Sequence, residues 1–255
     1  LIPHPRPGAG TAGREASDGD PAGAQRRRVR SFVRREGRIT RAQRRALETL
    51  WGRYGIDPPA SGSIDLDARF GRRGAPRVLE IGFGNGEALL ALARSRPEVD
   101  CLGIEVHRPG VGHLLLQLER EGIANVRVMC ADALEVLERH LPDAAFDRIL
   151  LFFPDPWVKK RHHKRRIVQS AFARLVHRRL RPGGTLEMAT DWEDYARQML
   201  AVMEAEGGFA NRAGPGRYAP RPAERPPTRF ERRGERLGHP VWDLAFVRVG
   251  EKETP

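Results

Sequence analysis

Val78-Leu79-Glu80-Ile81-Gly82-Phe83-Gly84-Asn85-Gly86-Glu87 is an apolar strand that runs through closely spaced glycines into a helix near Glu87 to Ser95. Glycines in that position let the backbone approach a ligand and take φ values that other residues avoid. A dinucleotide fingerprint, G-x-G-x-x-G, starting at Gly82 requires Gly or Ala at position 87. Position 87 is Glu, an anion at the helix N-terminus where a pyrophosphate would bind, so phosphate binding is disfavoured. A nicotinamide oxidoreductase is correspondingly disfavoured.

The pattern continues outward from this turn. Strands are predicted at Cys101 to Val106, Val126 to Cys130, Asp147 to Phe153 and Thr185 to Ala189. Between them come helices near Val111 to Glu121, from Ala133, and near Arg165 to Leu180, the last ended by Pro182-Gly183-Gly184. A helix from Trp192 to Glu206, a loop from Gly207 to Pro227 and a final edge strand, Val241 to Val249, complete the chain. Strands that are apolar throughout, alternating with helices, predict a parallel sheet covered on both faces. Right-handed crossovers make it doubly wound.

Three acidic residues close the first three strands: Glu80, Glu105 and Asp132. Open α/β sheets bind ligands at the carboxyl ends of their strands, and Glu105, 23 residues after Gly82, has the spacing of a ribose contact. A strand-end Glu also serves as a plain cap, so Glu105 alone does not separate a nicotinamide from adenosylmethionine. A cluster of carboxylates suits a cationic sulfonium cofactor bearing an ammonium group better than a dinucleotide.

The fourth strand runs into Phe153-Pro154-Asp155-Pro156-Trp157 and then Lys159, Lys160, Arg161, His162, His163, Lys164, Arg165 and Arg166. Each proline fixes its own φ and restricts the residue before it, which points to a rigidly held Asp155. Pro-Asp-Pro is also an ordinary turn, and a charge run is ordinarily a solvated face. However, from Pro156 to Leu186 there are ten Lys or Arg residues, ending with Arg174, Arg178, Arg179 and Arg181, and no acid. A solvated helix normally interleaves signs to gain i,i+4 pairs. An unbroken cationic surface beside a rigid carboxylate suggests chemistry on a nucleic acid, and Trp157 is either a base-stacking platform or core.

The chain has 255 residues and a formal net charge of +12, which points to a polyanionic partner. Residues 1 to 25 are polar and Gly/Ala/Pro-rich and are expected to be disordered. From Arg26 to Arg45 ten arginines stand against the single acid Glu36. Thr40 is a candidate N-cap for a short docking helix carrying Ala46, Leu47, Leu50, Trp51 and Tyr54, and a polar loop is expected to run on to Arg77. The predicted organisation is a tail over 1–25, a basic arm with its docking helix over 26–60, and a catalytic domain over 61–255. Cys101 and Cys130 read as buried, reduced thiols, and no third ligand accompanies His162 and His163, so no metal is assigned. No apolar run reaches the length of a membrane span and no secretory leader is recognisable, so a cytoplasmic protein is expected.

EIGFGNGE, GIEVHRPG, FPDPW with its basic continuation, ATDWE at Ala189 to Glu193, and TRFERRGERLGH at Thr228 to His239 resemble the bacterial tRNA (guanine-N(7)-)-methyltransferases. The resemblance runs from about Arg30 to about Val249; residues 1–25 and 214–227 lie outside it. It implies a Rossmann-like, mostly parallel seven-stranded sheet. It further implies methyl transfer from S-adenosyl-L-methionine to nitrogen-7 of a guanine in the variable loop of tRNA. Glu80, Gly82, Gly84, Glu105, Asp132 and Asp155 match cofactor-binding positions, with Asp155 also the family's catalytic residue. Lys159, Asp191, Thr228, Arg229, Phe230 and Glu231 match substrate-binding positions, and Arg161, His162, His163, Lys164, Arg165 and Arg166 an RNA-binding segment. The partner implied is tRNA, with no membrane and no metal, for a monomer or homodimer. The rival readings are a methyltransferase with another RNA, protein or small-molecule substrate, and a tRNA-binding protein without activity.

Overall fold

The computed structural model describes residues 37–223, 225, 231 and 240–250. Its first element bears out the cap at Thr40. The Thr40 hydroxyl accepts from the Gln43 amide at 3.2 Å and the Gln43 side chain accepts from the Thr40 amide at 2.9 Å, a reciprocal capping box. The helix it starts, α1 (Arg41–Thr49), gives way at Leu50 to a single turn, α2 (Trp51–Tyr54). The polar stretch that follows is not all loop. Asp65 caps α3 (Leu66–Phe70) by accepting from the Ala68 amide at 3.0 Å, and Gly71 ends it in the left-handed region. Five residues carry too little periodicity to announce a helix.

Alternation then begins as the sequence predicts: β1 (Arg77–Ile81), α4 (Glu87–Ser95), β2 (Asp100–Ile104), α5 (Arg108–Glu121), β3 (Val126–Met129), α6 (Ala133–Arg139) and β4 (Phe146–Phe152). A 3₁₀ turn over Lys160–Arg165 precedes α7 (Ser170–Arg179), so the helix expected from Arg165 begins five residues later. Next come β5 (Leu180–Thr190), α8 (Glu193–Ala205), β6 (Phe209–Asn211) and β7 (Trp242–Arg248). The seven strands form one sheet in the order β3-β2-β1-β4-β5-β7-β6. The first five are mutually parallel, and β7 runs antiparallel to both β5 and β6.

Two features depart from the sequence reading. Pro182-Gly183-Gly184 does not separate helix from strand: β5 starts at Leu180 opposite Phe146, slips register, and resumes pairing at Thr185 opposite Arg148. Gly183, at φ 77°, takes the conformation the slip demands. The last strand is not at the edge either. It lies between β5 and β6, and the edge is a three-residue strand inside the segment read as loop. A very short edge strand offers little unpaired backbone to another chain.

Burial of both sheet faces follows from strand periodicity. Leu79 and Ile81 face one apolar layer with Leu102, Ile104, Ile149 and Leu151, while Val78 faces the other with Leu89, Cys101, Leu114 and Val128. Each fully buried side chain of this size contributes about 1.5–3 kcal/mol, so the five parallel strands form a stiff plate. Gly112 on α5 packs against the Gln43 backbone, which seats α1 on this plate. All five parallel strands end at one edge, where the sequence places Glu80, Glu105, Asp132, Asp155 and Asp191.

Candidate active site at the carboxyl edge of the sheet

The glycine turn is held by β2. The Gly82 amide donates to the Ile104 carbonyl at 2.8 Å, and Gly82, Gly84 and Gly86 all take positive φ. Glu105 joins the two neighbouring turns: one carboxylate oxygen accepts from the Gly84 amide at 2.8 Å, the other from the Val106 and His107 amides at 2.7 and 2.9 Å. A Cβ on Gly110, at the start of α5, would overlap the Gly84 carbonyl, so the helix reaches the turn only because that residue is glycine. Glu105 is thus cap and cleft wall at once.

A cleft of about 740 Å³ opens beside this turn, lined among others by Gly82, Gly84, Glu105, His107, Asp155 and Trp157. That is ample for a nucleoside-sized ligand. Asp132 caps α6 by accepting from the Leu134 amide at 3.0 Å, between Ala131 and Ala133 of the cleft wall. Glu80 is only 3% exposed, and its Oε2 has no hydrogen-bond partner among the described residues. Burial, and next the charge of Glu105, push the Glu80 carboxyl up to about 8, against a smaller opposing pull from the Leu89 amide.

The Pro-Asp-Pro loop is braced by more than its prolines. Phe153 and Trp157, on either side of it, both sit in the left-handed region, at φ 51° and 47°. Such backbone is strained for bulky residues and persists only where the surroundings over-determine it. At the entry, the Phe153 amide donates to the Ala189 carbonyl of β5 at 2.8 Å, and the Arg225 guanidinium lies 5.6 Å from the ring centres of Phe152 and Phe153. Asp155 itself is exposed at the cleft. Phe152 pairs with Ala189, so Asp155 and the half-buried Asp191 follow the ends of adjacent strands.

The basic run divides into two kinds of residue. Lys159, Lys160, Arg161 and Lys164 are exposed. Arg165 lies over the Trp157 ring at 4.3 Å, with His162 edge-on to the same ring at 5.9 Å. Loss of solvent, and then Arg161 and Arg165, hold the His162 imidazole below its usual range, hence neutral at pH 7. Arg166 corrects the sequence reading: it is 2% exposed and points inward, with no face for a phosphate. The later arginines are also less bare than the acid-free run implies, because acids arrive from the loop before β4 and from the start of β4 itself. Arg178 and the buried Arg179 pair with Asp143, and Arg181 with Asp147 at 2.6 Å.

Of the second substrate motif, Thr228, Arg229 and Phe230 lie outside the described residues. Glu231 is a second correction. It is 1% exposed and bound by Arg225, Nη1 to Oε2 at 2.8 Å and Nη2 to Oε1 at 3.0 Å, while Arg225 also reaches Asp243 on β7 at 3.1 Å. Sequence reasoning missed Arg225, although Asp243, an acid inside the apolar run Trp242–Val247, signalled a buried cation. Cys101 is buried, its thiol pushed up to about 12 chiefly by that burial, and Cys130 is half-buried rather than buried. Among the described residues no cluster of His, Cys, Asp or Glu is arranged to hold a metal, and no helix is long and apolar enough to cross a membrane.

A mostly parallel seven-stranded sheet with an antiparallel β7 between β5 and β6, a glycine turn after its first strand and a carboxylate closing the second has the class I methyltransferase fold, and the family described as putative methyltransferase matches residues 74–244. The chain belongs to that family, and within it to the tRNA (guanine-N(7)-)-methyltransferases. A protein of that name from Alcanivorax borkumensis is 56% identical over 90% of this chain and 95% of its own length. Those from Methylococcus capsulatus and Pseudomonas aeruginosa are 60% and 58% identical, over 87% and 88% of this chain and 95% and 91% of theirs. The solved structure of the 16S rRNA methyltransferase KamB, 15% identical, superposes with a TM-score of 0.53, covering 78% of this chain and all of that one, and shows the fold.

Proposed function

We propose that this enzyme transfers a methyl group from S-adenosylmethionine to nitrogen-7 of a guanine in the variable loop of tRNA. The observation that carries this reading is Asp155 at the mouth of the cleft, on a braced loop that continues directly into exposed Lys159, Lys160, Arg161 and Lys164. The cleft fits the cofactor, with glycine backbone on one side and the Glu105 carboxylate on the wall, and on the strand just before the glycine turn Glu80 has a buried carboxyl oxygen without a partner among the described residues. Glu80, Gly82, Gly84, Glu105 and Asp132 would hold it. When bound, S-adenosylmethionine supplies an electrophilic methyl group on a positively charged sulfur.

Nitrogen-7 carries an in-plane lone pair and no proton, so no general base is needed to create the nucleophile. The role left for Asp155 or Asp191 is to accept hydrogen bonds from the guanine ring N–H and exocyclic amine, fixing the base and balancing the positive charge it gains. Alignment of this kind supplies roughly 7–11 kcal/mol of barrier reduction. Anions close to sulfur would favour the charged ground state over the transition state, which assigns Glu105 and Asp132 to ribose and adenine. The exposed lysines and Arg161 take phosphates, with Arg165 and Trp157 as a preassembled stacking surface. Thr228, Arg229 and Phe230 join them as substrate contacts, in a cytoplasmic monomer or homodimer.

The test is incubation with unmodified tRNA transcript and methyl-labelled S-adenosylmethionine, followed by digestion and mass spectrometry. Label is expected in 7-methylguanosine and is expected to vanish when the variable-loop guanine is replaced. Label in another nucleoside, or none despite measurable binding of tRNA and cofactor, would overturn the reading.

A further inference from the structure

The loop that carries Asp155 has an unusual problem of support. Pro154 and Pro156 have no N–H, so two of its three central residues donate no backbone hydrogen bond, while Trp157 beyond them is held at a left-handed φ. Side chains therefore share in fixing its exit. Arg166 caps the end of the 3₁₀ turn and turns inward, against the half-buried His163.

Arg166 spends its guanidinium entirely inside the protein. Nε donates to the Pro156 carbonyl at 2.8 Å, Nη1 to the Gln198 side-chain oxygen at 2.7 Å, and Nη2 to Asp194 at 2.7 Å, with His163 Nε2 at 3.0 Å from Nη2. Its plane lies 4.8 Å from the centre of the buried Tyr195 ring. Gln198 and Asp194 sit on α8, whose Tyr195 and Met199 are in the core. The same helix fastens the next residues: the Val168 amide donates to the Tyr195 hydroxyl, and the Gln198 side chain donates to the Val168 carbonyl. The hydrogen bond from Arg166 is also what chiefly holds the Asp194 carboxyl below the usual carboxylate range.

We infer that Arg166 is a positioning residue for methyl transfer: it ties the Pro156 carbonyl to α8 and so fixes Asp155, the neighbouring residue, against the cleft. The inference rests on the assignment of Asp155 to the reacting base. It separates Arg166 from the exposed cations beside it in sequence. They hold tRNA, whereas Arg166 sets where the bound guanine stands. Lysine cannot replace it, because a single ammonium cannot span acceptors on the loop and at two positions of α8 at once.

The test uses the full chain, unmodified tRNA transcript and labelled S-adenosylmethionine, with Arg166→Lys, Asp194→Ala, Asp155→Asn and the Arg166→Lys/Asp155→Asn double variant. A misplacement of this kind lowers turnover on the order of 10–100-fold at saturating substrates. Arg166→Lys is expected to show that loss, with cofactor affinity and the salt dependence of tRNA binding unchanged. Asp194→Ala, truncating a side chain 59% exposed, is expected to show the same pattern more weakly and carries the test should Arg166→Lys fail to fold. In the double variant the further loss caused by Arg166→Lys is expected to be smaller than in the original chain, since Arg166 acts through residue 155, whose charge is already gone. Additive losses, a flattened salt dependence with intact turnover, or a lower melting temperature with normal turnover would each overturn the inference. Full turnover in Asp155→Asn would instead overturn the assignment of Asp155 and the inference with it.

Discussion

Arg225 and Glu231 form a two-pronged ion pair in which both side chains are almost wholly buried, 1% and 2% exposed. The pair lies at the entry to the Asp155 loop, because the same guanidinium covers Phe152 and Phe153. Removing one partner of a buried pair costs about 3–5 kcal/mol where the other charge is left uncompensated. Arg225 keeps Asp243 at 3.1 Å when Glu231 is lost, so Glu231→Ala is expected to lose stability in urea unfolding by less than that, with tRNA affinity of the folded fraction within a few fold of the original. Near-normal stability with lost tRNA affinity would return Glu231 to the substrate surface.

Asp155→Asn is expected to lower turnover while leaving cofactor affinity within a few fold. The substitution keeps one acceptor oxygen on a loop held by other residues, so the geometry survives and only the charge opposite the developing positive charge is lost. Calorimetric cofactor binding alongside single-turnover methylation separates the two effects. Lost cofactor binding with normal turnover at saturation would place Asp155 on the cofactor alone.

The succession of strands and helices in the parallel half was legible because apolar runs alternate with helical periodicity, and because acids stand at strand ends where few core positions tolerate them. What escaped was decided by side-chain direction and by partners distant in sequence. Arg166 reads as the last member of a cationic run, but the end of the 3₁₀ turn points it inward toward Asp194 and Gln198, about thirty residues on. Arg178 and Arg179 look bare in a stretch without acids, yet Asp143 precedes that stretch and folds back over it. β7 enters the sheet between β5 and β6, a choice of neighbour that its own pattern does not record.

The buried Glu80 carboxyl makes stability depend on pH with a definite sign. Its folded value, about 8, lies above the unfolded value of 4.5, so the folded state binds the extra proton between them. Its contribution is complete below 4.5 and is lost as pH rises through about 8, with a slope of at most about 1.4 kcal/mol per pH unit for one proton. Glu80→Gln, which mimics the protonated form, is expected to unfold at higher urea than the original at pH 8 and to show a flatter pH profile. Parallel profiles for the two proteins would mean that Glu80 is ionised in the fold.

Exposure divides the basic run into residues whose loss changes salt dependence and one whose loss does not. Lys159, Arg161 and Lys164 are exposed, so a phosphate contact at each releases counterions that return to the nucleic acid when the side chain is removed. Alanine at any one is expected to flatten the log–log slope of tRNA affinity against salt by roughly 0.7–0.9, with turnover at saturating tRNA little changed. The three together are expected to flatten it about threefold more, since exposed charges without shared partners act independently. Arg166→Lys keeps the charge and occupies an inward position, so it serves as the control whose slope stays at the original value. Binding isotherms at several salt concentrations decide the matter, and a slope that no exposed substitution alters would remove this face from the tRNA path.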